Sequence, residues 1–223
     1  MYKQTLKDLL YEQVARIGKA TSSPKRLELL ELLAQGEKSV EVLADELSIA
    51  IKLASAHLKV LREARLVASR KDGKFVYYRL TGQDVGDLWV AMHQVAQEHL
   101  VELRVALDEM ASAPDKLTSC SRKQIMEQAK RGEIIVIDVR PSAEFDHAHL
   151  PFARSMPLDE IAQRIAELPK NTEIVAYCRG PFCLFAEEAA KLLKANGRNV
   201  SKLLDGVAEW KSAGMPLESK ESL

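Results

Sequence analysis

Apolar residues recur every three or four positions through most of the first half of the chain: Leu6, Leu10, Val14 and Ile17, then Leu27, Leu30 and Leu33. That spacing predicts amphipathic helices. Ser22-Ser23-Pro24 marks the start of the second one, a hydroxyl cap followed by proline in the first turn, and Gly36 ends it. Short helices are expected over Val40–Leu47 and Ile51–Ala64, separated by Ser48 and Ile49. The period then changes. Leu66–Lys71 and Lys74–Leu80 read as strands joined at Asp72-Gly73, a strong two-residue hairpin signal. Beyond the hairpin, Leu88, Met92, Val95, His99, Leu103, Ala106 and Met110 return to steps of three and four. They predict one long helix over Asp84–Met110, whose apolar face needs a partner.

Residues 112–120 are a short polar stretch with a proline, and past them the pattern alternates. Ile134–Ile137, Glu173–Tyr177 and Val200–Leu204 look like buried strands, with helices over Arg122–Lys130, Leu158–Leu168 and Leu184–Ala195. Strand and helix in turn predict a small α/β domain with a parallel sheet. The expected fold class is therefore multidomain: a mainly-α winged helix-turn-helix unit over 1–111, a linker over 112–120, and the α/β domain over 121–223.

Composition narrows the possibilities. A chain of 223 residues, 47% hydrophobic and 29% charged, has the make-up of a folded protein with a core, and its length favours two domains. No apolar run reaches the roughly 18 residues of a membrane helix, and MYKQTLKDLL lacks the apolar region of a secretory signal. A soluble, cytoplasmic protein is expected, with no membrane partner. Three cysteines do not make a secreted disulfide framework and point to reactive thiols in a reducing compartment. Because 32 Lys and Arg balance 32 Asp and Glu, any nucleic-acid binding has to come from a local patch.

Such a patch exists. In the helix before the hairpin, Ala54, Leu58 and Leu61 form an inward stripe, leaving Lys52, Ser55, Lys59 and Arg62 outward. Between Lys52 and Arg79 the basic residues also include Arg65, Arg70, Lys71 and Lys74, against Glu63 and Asp72 alone. The excess falls on the helix and the hairpin that a winged helix lays on DNA.

Ser55-Ala56-His57-Leu58-Lys59-Val60-Leu61-Arg62-Glu63-Ala64, Leu66-Val67 and Arg70-Lys71-Asp72-Gly73-Lys74-Phe75-Val76-Tyr77-Tyr78-Arg79-Leu80 resemble the ArsR-type winged-helix repressors over about Pro24 to Leu80. The resemblance implies a homodimer, paired through its first and last helices, on a pseudo-palindromic double-stranded DNA operator. It places DNA contacts at Lys52, Ser55, Lys59, Arg62, Arg70, Lys71, Lys74 and Arg79, with His57 as a scaffold residue or backbone contact. Many members of that family sense metals. Here Val40-Glu41-Val42-Leu43-Ala44 contains no cysteine for a thiolate site. His99 and Glu102 share a helix face, but Gly86 and Leu88 stand where a carboxylate and a histidine are expected, and Asp84 and Asp87 are out of phase. His93 and His99 are accordingly read as interfacial histidines, with no metal and no cofactor.

In the second domain Ala176-Tyr177-Cys178-Arg179-Gly180-Pro181-Phe182-Cys183 lies directly between an apolar strand and an amphipathic helix. A thiol at a helix N-terminus faces backbone N–H groups and the positive end of the helix dipole, which favour thiolate. Arg179 adds a nearby cation, and Gly180 and Pro181 suggest a tight, exposed loop; Cys178 is the expected nucleophile.

This loop resembles the active-site loop of the rhodanese superfamily, and other landmarks follow in order: Asp138-Val139-Arg140, Glu144-Phe145, His149-Leu150-Pro151, Asp205-Gly206-Val207-Ala208-Glu209-Trp210 and Gly214-Met215-Pro216-Leu217. The resemblance implies that Cys178 takes a sulfane sulfur as a persulfide within the loop Arg179, Gly180, Pro181, Phe182 and Cys183, and passes it to a nucleophilic acceptor. Asp138, Arg140, His149, Gly206 and Trp210 read as structural landmarks. Two positions depart from the family: Pro181 replaces a glycine and removes an N–H donor, and Cys183 stands where a basic or hydroxylated residue is usual. A phosphatase is disfavoured, since the position six after the cysteine is Leu184 rather than arginine.

Cys183 has two readings: a partner that attacks the Cys178 persulfide, or a small apolar residue packed under the loop. Cys120 has no partner visible in the sequence. The expected function is a DNA-binding transcriptional regulator, by family default a repressor, whose rhodanese-like domain couples sulfur chemistry to operator occupancy. Its partners are operator DNA and a sulfane-sulfur donor or low-molecular-weight thiol. A sulfurtransferase that uses the winged helix for dimerisation or targeting, and a metal-responsive repressor with an accessory rhodanese domain, are the alternatives.

Overall fold

The computed structural model describes residues 2–111, 118 and 120–220. Its contacts divide the chain into two compact units, 1–89 and 90–223. The division falls inside a helix, whereas the sequence pattern changes at 112–120, a stretch that lies mostly outside the described residues.

Unit 1 runs α1 (Tyr2–Thr21), α2 (Pro24–Ala34), β1 (Lys38–Ser39), α3 (Val40–Glu46), α4 (Ile51–Glu63), β2 (Val67–Asp72), β3 (Phe75–Leu80) and the first half of α5 (Gln83–His99). Leu29, Leu30 and Leu33 of α2 bury against Leu43 of α3 and against Ala54, Leu58 and Leu61 of α4. The inward stripe read from the sequence is thus the core face of α4. A three-stranded antiparallel sheet, ordered β1-β3-β2, closes the unit. Helices α3 and α4 turn out through left-handed residues that are not glycine, Ser48 (φ 52°) and Arg65 (φ 62°). In each case the next N–H reaches back to a carbonyl five residues earlier, Ile49 to Ala44 and Leu66 to Leu61, which caps the helix end.

The hairpin turns one residue later than expected. Asp72 pairs with Phe75, so Gly73 and Lys74 form the loop, with the positive φ on Gly73. A glycine leading a two-residue loop matches the twist of the flanking strands. Nor is the last helix continuous: α5 ends at His99 and α6 (Val101–Ala111) follows after Leu100. Bonds from Leu100 N–H to Ala96 and from Arg104 N–H to Leu100 bridge the break, and no glycine or proline stands there to announce it.

Unit 2 contains the second half of α5, α6, α7 (Arg122–Lys130), β4 (Ile134–Asp138), α8 (Ser142–His147), β5 (Arg154–Ser155), α9 (Ile161–Arg164), β6 (Glu173–Tyr177), α10 (Phe185–Ala195), β7 (Val200–Lys202) and α11 (Val207–Ser212). The sheet is parallel throughout, ordered β5-β4-β6-β7. Successive side chains feed opposite layers, as the pleat requires. Val136, Val175 and Tyr177 pack with Ile125 and Trp210 on one face. Ile137, Ile174 and Ala176 pack with Ile161, Ala189 and Leu193 on the other. Leu158–Leu168 is a short α-helix between two 3₁₀ turns, and Leu168, which precedes Pro169, is extended (ψ 126°). The strand expected over Val200–Leu204 stops at Lys202. The short elements β1, β5, α8 and α11 escape periodicity because none completes two turns or more than two strand residues.

At the carboxyl end of β4, Asp138 and Arg140 are wholly buried and hydrogen-bonded, with Nη2 to Oδ2 at 2.6 Å. Tyr177 donates its hydroxyl proton to Asp138 at 2.5 Å and accepts the Leu150 N–H at 3.1 Å; Arg140 also reaches the Ala148 carbonyl at 2.8 Å. Burial opposes the Arg140 charge, and Asp138 more than offsets it, so the guanidinium stays protonated. This network ties β4, β6 and the segment after α8 together beneath the loop that follows β6. An Asp138→Ala substitution strands the Arg140 charge and is expected to cost about 3–5 kcal/mol. Urea unfolding followed through Trp210 fluorescence in a Trp89→Phe background checks it; an unchanged midpoint would show that the pair is dispensable.

Candidate functional site

In unit 1 the outward face of α4 and the hairpin carry the basic residues named above. Lys52, Ser55, Lys59, Arg62, Arg70, Lys71, Lys74 and Arg79 are exposed, and His57 is half-buried beside the core stripe. Their freedom differs. Arg70 is held by Glu37 (Nε to Oε2, 2.8 Å) and Asp72 (3.2 Å) and lies 4.6 Å over the Tyr77 ring. Lys59 faces Glu63 at 3.9 Å, and Arg62 Nη1 lies 3.5 Å from the Ser69 hydroxyl. Lys52, Lys71 and Arg79 have no ion pair among the described residues. Held side chains fix the wing, and the unpaired ones supply charge that phosphates can neutralise.

In unit 2 the loop 178–184 leaves the end of the central strand β6 and enters α10, at the carboxyl edge of a parallel sheet where such folds hold ligands. Two glycines set its path. Gly180 has φ +148°, and a Cβ there would meet the Glu209 carboxylate at 3.0 Å. A Cβ on Gly206 would lie 2.3 Å from the Arg179 carbonyl oxygen, so only glycine allows these two backbones to touch. Glu209 itself is buried; it accepts the Gly206 N–H at 2.7 Å and lies 3.1 Å from His93 Nε2. His93, in the part of α5 that belongs to unit 2, also meets the Phe182 ring edge-on at 5.7 Å and Gln97 at 3.0 Å. Glu209 was quoted in the sequence as part of a landmark; its place under the loop had no signal in spacing.

The expectation of an exposed Cys178 is overturned. Its thiol is buried, 2% exposed, inside the apolar layer that includes Ala186 and Ala189. Desolvation is the main cause that pushes its pKa well above the usual thiol range, reinforced by a hydrogen bond to Cys183; backbone bonds from Ala186 and Gly180 pull the other way. Its Sγ also lies 3.4 Å from the Cys183 carbonyl oxygen and 3.8 Å from that of Gly180. Cys183 is half-buried and moves oppositely, lowered to about 7, first because the Cys178 thiol hydrogen-bonds to it and despite desolvation; backbone bonds from Arg179 and Phe185 assist. The two thiols thus shift each other in opposite directions. Arg179 is not the free cation expected beside Cys178: it is bound to buried Glu144 (Nε to Oε2, 3.0 Å; Nη2 to Oε1, 2.5 Å) and stacks on Phe185 at 5.4 Å.

The remaining sequence candidates settle as follows. His99 is exposed, and Cys120 is half-buried with Sγ 3.6 Å from Gln128 Oε1. Trp210 donates its indole N–H to the Pro216 carbonyl at 3.0 Å, and His149 pairs with Glu218 through its backbone. No helix among the described residues is long and apolar enough to cross a membrane.

A winged helix-turn-helix unit followed by a parallel α/β unit with a cysteine loop at its sheet edge defines a regulator with a rhodanese-like domain. Residues 23–69 match the model of the bacterial regulatory proteins of the arsR family, and residues 121–213 match that of the rhodanese-like domain. The HTH-type transcriptional regulator Rv0324 of Mycobacterium tuberculosis is 40% identical over 212 residues, 95% of this chain and 93% of that protein. A sulfurtransferase of Allochromatium vinosum is 29% identical over 89 residues, 40% of this chain and 82% of that one. The solution structure of the homodimeric winged helix-turn-helix DNA-binding domain of Mb0332 from Mycobacterium bovis, a possible ArsR-family regulator, is 44% identical. It covers 43% of this chain and 89% of its own, with a TM-score of 0.41. The chain belongs to the ArsR family of bacterial transcriptional regulators and carries a rhodanese-like domain after its winged helix.

The opposed shifts make thiol reactivity depend on the pair. Alkylation of Cys183 by iodoacetamide is expected to rise with pH through a midpoint of about 7, with Cys178 labelled far more slowly. Cys178→Ala removes the hydrogen bond and should move the Cys183 midpoint up toward the ordinary thiol value of about 8.5. Peptide mass spectrometry of the labelled protein reads both; a midpoint that stays near 7 in the variant contradicts the influence of Cys178 on Cys183.

Proposed function

We propose that the protein is a homodimeric, operator-binding repressor of the cytoplasm whose Cys178–Cys183 pair captures sulfane sulfur and thereby changes affinity for DNA. The observation that carries this reading is the thiol pair: a buried Cys178, its sulfur 3.4 Å from the Cys183 carbonyl oxygen, and a half-buried Cys183 in a single short loop. A lone transferring cysteine needs no such neighbour.

The chemistry balances without a cofactor. The Cys183 thiolate takes the Cys178 proton, and the Cys178 thiolate attacks the outer sulfur of a persulfide, RSSH. The donor's S–S bond breaks, and RS⁻ leaves with the proton from Cys183 as RSH. Cys178 then carries S–SH and Cys183 is again a thiolate. Attack of that thiolate on Cys178 Sγ expels HS⁻ and closes a disulfide, so two thiols are oxidised and the sulfane sulfur is reduced to sulfide. Diverting the Cys178 persulfide to an external thiol instead gives sulfur transfer, the enzymatic alternative.

Closure of the loop has to alter free energy differently in DNA-competent and DNA-incompetent states, since a modification that favours neither shifts nothing. Phe182 and Gly180 belong to the loop, and both adjoin the Glu209–His93 contact on α5. Because α5 begins in unit 1 and ends in unit 2, this contact is the route we assign to the coupling. Gel-shift titration at fixed salt, comparing wild type and Cys178→Ser, each reduced and persulfide-treated, tests the proposal. Wild type should change operator affinity on treatment by about fivefold or more, and Cys178→Ser should not respond. Equal affinities for treated and untreated wild type remove the coupling; many turnovers of donor per Cys178 without sequence-specific binding favour the sulfurtransferase.

A further inference from the structure

Beside the cysteine loop, at the carboxyl edge of the sheet, the structure contains an open cavity of about 560 Å³, within the size range of small-molecule sites. Val139, Leu158 and Phe185 form its apolar walls, and Ser142, Asp159 and Glu160 its polar ones. Phe185 is the link to the chemistry. Its backbone hydrogen-bonds to Cys183, while its side chain lines the cavity. Val139 belongs to the same apolar layer as Cys178.

The lining side chains carry negative charge alone, and the two cations beside them, Arg164 and Arg179, are each bound to carboxylates. None of its lining side chains is basic, and Asp159 is exposed at its rim. Glu160 is paired with Arg164 at 2.9 Å, but Arg164 is also held by Glu167 at 3.0 Å. The loop's own cation, Arg179, is bound to Glu144. A dianion entering here would meet carboxylates and find no free guanidinium or ammonium, whereas an alkyl body would be covered by the apolar walls.

We infer that this cavity is the entry site for the sulfur donor, and that it takes an uncharged or cationic organic persulfide with an alkyl body in preference to an inorganic or organic anion. The inference rests on the capture of sulfur by the cysteine pair proposed above. Selection comes from the electrostatic field at the mouth, which raises encounter with cations and lowers it with anions.

The full-length protein can be mixed with cysteamine persulfide (cationic), glutathione persulfide (anionic) or thiosulfate, and formation of the Cys178–Cys183 linkage followed by quenched mass spectrometry. At low ionic strength cysteamine persulfide should load the pair about tenfold faster than glutathione persulfide, and thiosulfate should leave it reduced. Asp159→Lys should shrink the ratio between the two persulfides, and so should added salt. Equal rates, a faster anion, or a ratio unmoved by both the substitution and salt would overturn the donor assignment while leaving sulfur capture intact. Failure of all three donors to load the pair would overturn the capture reading along with it.

Discussion

What this loop can do turns on the placement of two thiols: the buried Cys178 sulfur lies 3.4 Å from the Cys183 carbonyl oxygen, and each thiol shifts the pKa of the other. A thiol buried among apolar side chains resists ionisation because the charge has no solvent to stabilise it. Cys183, five positions on in the same loop, moves the other way: lowered to about 7, it ionises while Cys178 stays protonated. The negative charge sits on the more accessible sulfur. The buried sulfur thus has a more readily ionised thiol beside it in the same loop.

The loop that carries the two thiols is held from several sides. Gly206 lets one backbone lie directly on the Cys178–Arg179 peptide, and Gly180 lets the loop pass over the Glu209 carboxylate. Arg179 is drawn away to Glu144, and the Asp138–Arg140–Tyr177 network fixes the strand ends below. Asp138, Arg140, Glu144, Tyr177 and Glu209 are buried and paired, so their satisfaction, rather than any net gain from the ion pairs, is what keeps the geometry unique. The cation expected to activate Cys178 is therefore held in an ion pair with Glu144, and the neighbouring Cys183 pushes the Cys178 pKa further up while its own is lowered.

Much of this architecture was legible in the sequence, and for identifiable reasons. Leu58 and Leu61 declared the buried face of α4, and hence which of its residues face outward, because helical spacing fixes the face. The strand–cysteine–helix order around Cys178 declared the sheet edge. What could not be read depended on contacts across long separations or on conformation without a sequence mark. The burial of Cys178 and the approach of Glu209 and His93, 116 residues apart, to one another arise from tertiary packing. The left-handed Ser48 and Arg65 carry no glycine signal, and the interruption at Leu100 has no breaker. The hairpin loop fell one residue late because Asp72 joined the ladder instead of the turn.

The winged helix and the cysteine loop belong to one functional account only if sulfur closes the pair. Intact-mass and peptide mass spectrometry of the full-length protein after polysulfide exposure tests this most directly. The account predicts a linkage between Cys178 and Cys183, either direct or through retained sulfur, with Cys120 unlinked. A persulfide confined to one cysteine, with the two never joined, would contradict it.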